Sequence, residues 1–207
     1  MEGSGTVNRM AQVAIAAAAV HAALLLALHL LEPGISPRAS IVSDYSQTAH
    51  AAWATATFIA FGIIWGAMAI ALSDAARSKN VQVGRVLFTL AMIAILIAAI
   101  FPATADPRTG SVVARIQNLV ARPGLFLGVL LVSLGVRRVA GWEAVTKRLM
   151  SLAAAAIVLL VATIGFLLQA GLGGVGQRIL FLLLYAWVWT AARNAAELSK
   201  RSKATSG

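Results

Sequence analysis

The chain has 207 residues, 60% of them apolar and 12% charged, whereas an average soluble domain is about 45–50% apolar and about 25% charged. That balance excludes a water-soluble globule, for want of polar surface, and excludes disorder, whose precondition is low hydrophobicity. Lys and Arg number 17 against 7 Asp and Glu, a net charge of +10. No basic run carries interleaved aromatics, so the bases read as cytoplasmic loops rather than a nucleic-acid surface.

The N-terminus is short and polar, with Arg9, and leads into an apolar run of 22 residues, Met10–Leu31. A signal-peptide core is about 7–15 residues long, so this run is expected to be an uncleaved first transmembrane helix. His21 lies near its midplane and His29 near its outer end. The longest loop follows; its Ile35, Ile41 and Val42 point to a segment folded onto the bundle. Asp44 sits where the second span, Ala51–Leu72, is about to begin. It is either a helix cap or an acid–base group or arginine partner. Tyr45 is next to it, and His50 opens the helix.

The third span is Val86–Phe101. The fourth, Pro123–Val136, has only 14 uncharged residues, about 21 Å of helix against a hydrocarbon core of about 30 Å. It must extend N-terminally through polar sequence, or the bilayer must thin. In that polar stretch Arg115, Asn118 and Arg122 fall at i, i+3 and i+7 on one helix face, beside Gln117, and Pro123 predicts a kink. The fifth span is Leu149–Leu168. A glycine-rich stretch, Gly171–Gly176, precedes the sixth, Ile179–Ala192, which is again short and headed by Gln177 and Arg178. Residues 199–207 are polar and expected to be a disordered tail.

With the N-terminus in the cytoplasm, twelve Lys and Arg lie inside and five (Arg38, Arg108, Arg115, Arg122 and Arg178) outside. The positive-inside rule then puts both termini in the cytoplasm. The expected fold is all-α: one domain, residues 1–198, forming a polytopic bundle of six transmembrane helices in the cell membrane. Gly62–Gly66 and Gly124–Gly128 each fit G-x-x-x-G, a spacing that serves internal packing or a homodimer. Trp142 fits the cytoplasmic interface belt.

The outer half of the bundle carries the candidate chemistry. Arg122 lies 14 residues from Val136, which leaves it about 9 Å below the outer boundary; Arg178 lands at a similar depth. A charge there costs from about 2.5 to over 10 kcal/mol, so both need anionic partners or water. Three outer acids, Glu32, Asp44 and Asp106, face five outer arginines. The surplus points to an anionic ligand group such as phosphate or carboxylate; the alternative is snorkelling or structural pairing. In the ligand reading Arg122 and Arg178 hold the anion. Gln117, Asn118 and Gln177, with Arg115 and His29, supply further contacts, and Asp44, Asp106, Tyr45 and His50 transfer protons. The histidines and acids have no metal or haem motif, and there are no cysteines, so neither metal nor cofactor is expected. The expected function is a membrane-embedded enzyme hydrolysing, isomerising or cyclising an amphiphilic, lipid-like or isoprenoid-like anion from the outer leaflet. The competing class is a small transporter or an accessory subunit of a membrane complex.

Ser43-Asp44-Tyr45 before helix 2, Phe101-Pro102 with Asp106 after helix 3, and Gly176-Gln177-Arg178 opening helix 6 make the chain resemble the six-helix integral membrane proteins of the domain-of-unknown-function 998 family. The resemblance covers roughly Ala11 to Ala196. It implies the six-helix fold and a shared outer polar site, and no established activity. Where that family often has a histidine at the polar start of helix 4, this chain has Gln117.

Overall fold

The computed structural model describes residues 3–101 and 116–205. Among them the chain is helical throughout, in the order α1 (Gly3–Leu31), α2 (Ala51–Ala71), α3 (Lys79–Ile100), α4 (Arg122–Gly135), α5 (Glu143–Ala162) and α6 (Gly173–Thr205). A π-helical turn, Gln117–Ala121, leads into α4, and another, Thr163–Leu167, extends α5. Six stretches are long and apolar enough to cross a membrane: Gly5–Leu31, Ala51–Ala71, Lys79–Ile100, Leu119–Arg138, Glu143–Leu167 and Gly173–Ser202. The two short apolar runs do extend N-terminally through polar sequence. In α4 the extension passes through the π turn immediately before Arg122-Pro123, because proline removes one i→i−4 hydrogen bond and its ring crowds the carbonyl that would have accepted it.

The helices form a ring in chain order. Each packs on its sequence neighbour, and α6 closes the ring against α1. The end carrying the α1–α2 loop is called distal here, and the opposite end carries both termini. Small residues set the spacing around α3. A Cβ on Gly128 would lie 2.7 Å from Phe88 and 3.2 Å from the Gly84 carbonyl; one on Gly84 would lie 2.6 Å from Val132. Gly62 and Gly66 face Leu96 and Met92 of α3 in the same way. Both G-x-x-x-G pairs are therefore spent on packing inside the bundle, one on each side of α3.

The half of the core nearer the termini is a solid aromatic plug. Trp65, Phe88 and Trp187 are buried with ring centroids 5.1–6.4 Å apart, in the range of favourable aromatic pairs. Trp187 Nε1 donates to Ser133 Oγ at 2.9 Å, which gives the buried indole N–H its partner.

Two expectations are corrected here. Ser199–Thr205 are not a disordered tail but the last turns of α6; residues 206 and 207 of the expected tail lie outside the described residues. Ser199 is buried, Leu198 packs against Gly141 of the α4–α5 turn, and Arg193 pairs with Glu197 one turn on, at 3.1 Å. Trp142 is not an interfacial anchor but is 2% exposed, folded into the core where α5 begins.

Candidate functional site

Two separate polar constructions occupy the distal half. The first is a clamp between the α1–α2 loop and the start of α6. Loop carbonyls fill the first turn of α6: Gly174 N donates to Ala39 O at 3.2 Å and Val175 N to Arg38 O at 3.1 Å. These are amides that an α-helix leaves without partners of its own. A Cβ on Gly174 would lie 2.3 Å from Pro37 O and 2.5 Å from Ser40 O, so only glycine admits this approach. Gln177 Oε1 then accepts from Val42 N at 2.7 Å.

Arg178 locks the clamp. Its Nη1 donates to Ser40 O at 2.9 Å and to Gly174 O at 2.8 Å. Its Nε donates to His29 Nε2 at 2.8 Å. The other His29 nitrogen, Nδ1, donates to the Leu25 carbonyl one turn back. These two bonds fix the tautomer: a neutral ring protonated on Nδ1, accepting from a guanidinium. Tyr45 lies beneath, fully buried, its ring centroid 5.6 Å from that of His29. Arg178 Nη2 and Tyr45 Oη, both buried, make no hydrogen bond of good geometry among the described residues, but they lie close enough for the phenol oxygen and the guanidinium to interact. Asp44 lies within electrostatic reach of the guanidinium but is exposed; its Oδ2 accepts from Ile41 N at 2.9 Å and so caps the short 3₁₀ turn Val42–Gln47, not α2.

Beside the clamp, Glu32 at the end of α1 takes His50. Its Oε1 lies 2.8 Å from His50 Nδ1 and 3.3 Å from His50 N. The Thr48 hydroxyl has one proton for two neighbours, the Tyr45 carbonyl at 2.9 Å and this carboxylate. Thr48 first, then the His50 ring and backbone, hold the Glu32 carboxyl below the usual carboxylate range.

The second construction is a cavity of about 180 Å³ on the ring axis, where a single water needs about 10–15 Å³. Every helix contributes to it. The walls are apolar, with Phe58, Phe61, Leu125, Phe126, Leu180 and Phe181 among them. Both π turns meet it, through Ala121 and through Thr163 and Ile164, and wide turns of this kind recur at functional sites. Arg122 lines it and stands open at its rim, with Gln177 and Ser43 nearby in the lining. Among the described residues no carboxylate pairs with Arg122.

Deep in the cavity is His21, 2% exposed. It stacks on Phe61 with centroids 4.8 Å apart and meets Phe181 edge-on at 5.1 Å, and its Nδ1 is hydrogen-bonded to Tyr185 Oη.

The structure thus brings His29, Tyr45, Arg178 and Gln177 together in the clamp, with Asp44 at its edge, and pairs His50 with Glu32. Arg122 stands apart in the cavity, and Arg178 is not among its lining residues. Asp106 and Arg115, together with the side chains of Gln117 and Asn118, lie outside the described residues. The sequence reading did not select His21, Tyr185 or the π turns. A histidine in the middle of a 22-residue apolar run was the available signal for the first of these; its partner lies 164 positions away.

Comparison with known proteins gives one match: a sequence model of a family described as "Protein of unknown function (DUF998)" fits residues 15–194. No curated protein and no solved structure matches the chain.

Proposed function

The chain belongs to the DUF998 family of membrane proteins of unknown function, and from that membership and the geometry of its cavity we propose that it binds an amphiphilic anion from the outer leaflet. One observation carries this reading: Arg122, with no carboxylate partner among the described residues, lines a cavity whose other walls are mainly apolar. Arg122 lies within a membrane-spanning stretch, where a guanidinium without an anion or water is costly, and apolar walls with a few placed polar groups are what a ligand pocket looks like. The head group, a phosphate or carboxylate, sits at Arg122 with Gln177 and Ser43; the hydrocarbon runs down between the aromatic rings. The distal end faces outside and both termini face the cytoplasm, as the lysine and arginine distribution favours.

In the enzymatic form of this reading, a hydrolysis, isomerisation or cyclisation, Asp44, Tyr45 and His50 act on the head group from the distal loop, and Asp106, outside the described residues, is assigned the same role. A second reading, binding without turnover by a small transporter or accessory subunit, has an observation of its own: Asp44, Tyr45 and His50 are not among the residues lining the cavity.

Native mass spectrometry of the protein released from mild detergent tests the shared premise. The wild type retains one defined amphiphilic anion and Arg122→Gln does not. Equal retention by both, or none by either, sinks the proposal. Asp44→Asn, folded and ligand-bound, then separates the two forms, since it stops turnover by an enzyme and leaves a carrier unaffected.

A further inference from the structure

His21 is a polar ring, almost wholly buried, at the floor of a cavity whose walls are apolar. One of its nitrogens is accounted for by Tyr185 Oη. The direction of that bond follows from counting protons. Tyr185 has one hydroxyl proton, and among the described residues it has no other hydrogen-bond partner. If Nδ1 carried the proton, the phenol O–H of the half-buried Tyr185 would lose the one acceptor it has among the described residues. With the phenol donating to Nδ1, the ring must be protonated on Nε2. Nε2–H then has no acceptor among the described residues, while the ring lines the cavity. This donor is not sealed in the core but open to the cavity, where an acceptor on a bound molecule can satisfy it.

We infer that His21 Nε2–H is a second recognition point, and that the ligand is an amphiphilic anion bearing an acceptor oxygen, a carbonyl or ether, in its hydrocarbon. The spacing is set by α6. Gln177 at the head-group end and Tyr185, the hydrogen-bond partner of the His21 ring, are eight residues apart, about 12 Å along the helix. At roughly 1.2 Å per bond of extended chain, the oxygen falls about ten bonds from the anionic head. Phe61, which stacks on one face of the imidazole, and Phe181, which abuts its edge, hold the ring where a chain passing between them meets Nε2. This inference rests on the amphiphile reading above and adds the position and polarity of a second group.

The test uses the full chain in nanodiscs and two probes: a saturated alkyl carboxylate, and the same molecule with a keto group about ten bonds from the carboxylate. Isothermal titration gives both affinities. The wild type binds the keto probe about tenfold more tightly, or about 1.4 kcal/mol. His21→Phe, which keeps the aromatic packing, binds both probes equally. Arg122→Gln weakens both and keeps their ratio. Should His21→Phe fold poorly, His21→Leu serves instead, and it too binds both probes equally. Equal binding of the two probes by the wild type, with Arg122 still required, overturns the second recognition point and leaves the amphiphile site standing. Failure of both probes to bind overturns both.

Discussion

Arg178 donates from Nε to a neutral imidazole and from Nη1 to two backbone carbonyls, so removing its side chain strands three acceptors at once. Hydrogen bonds to a charged group contribute about 1.5–3 kcal/mol each, and Arg178→Ala should therefore lower unfolding stability in detergent by at least about 3 kcal/mol. Arg178→Lys should recover little of it, since a single ammonium cannot reproduce the planar fork. Arg122→Gln is the contrasting case. It removes a guanidinium with no carboxylate partner among the described residues and should leave the melting temperature unchanged or slightly raised. Depth along the helix placed these two arginines together, because depth is a matter of counting residues. What separates them is lateral: Arg178 meets a histidine 149 positions away, and no local pattern encodes that encounter.

Glu32 makes a prediction about pH. Its carboxyl is held below the usual range by Thr48 and then His50, so the folded state favours the ionised form. A depressed carboxylate contributes stability that is present above its unfolded value, about 4.3, and is lost as pH falls through the lower folded value. Protection of the amides of residues 41–50 against hydrogen exchange, measured relative to the intrinsic rate at each pH, should fall below about pH 4 in the wild type. In Glu32→Gln that protection should be lower at neutral pH and nearly independent of pH over that range; an unchanged acid response would dismiss Glu32 as the titrating group.

The glycine-rich turn before α6 was legible as a place where backbone comes close, but not what it comes close to. The α1–α2 loop lays its carbonyls across that turn, and Gly174 is the point of nearest approach. Gly174→Ala would set a Cβ 2.3 Å from Pro37 O, a contact that only backbone movement relieves, and overpacking of this kind costs about 1–3 kcal/mol or more. Gly165→Ala, where nothing lies within 4 Å, is the matched control and should be tolerated; similar melting curves for the two would mean the loop does not sit on α6. Helix number and rough extent were readable from hydropathy because a bilayer imposes a minimum apolar length. The ends were less so. The continuation of α6 to Thr205 accompanies the packing of Leu198 against Gly141 of the α4–α5 turn and the burial of Ser199, and the widened turn that extends α5 follows no sequence signal. The widened turn before α4 follows more directly, from Pro123.

All six spans, and the two G-x-x-x-G pairs, were written in composition and spacing; that both pairs face the same helix, α3, was not. The arrangement around one axis makes the positive end and the loop-bearing end opposite poles. A reporter fused to either terminus should therefore respond as a cytoplasmic one, and opposite responses from the two would refute an even number of crossings. The same ring has a consequence for how the molecule is made. Because each helix packs on the one synthesised just before it, pairs of helices can associate as they leave the ribosome, with little loop-closure entropy to pay before contacts form. The exception is the seam between α6 and α1, the first and last spans to emerge. Until it closes, His29, Ser40 and the distal loop lack their arginine, the cavity lacks Gln177, Leu180 and Phe181, and His21 lacks Tyr185. The cavity is thus completed only once α6 has joined α1, and a nascent chain stalled after α5 would present an unfinished groove, with His21 unsatisfied, to whatever membrane chaperone attends it.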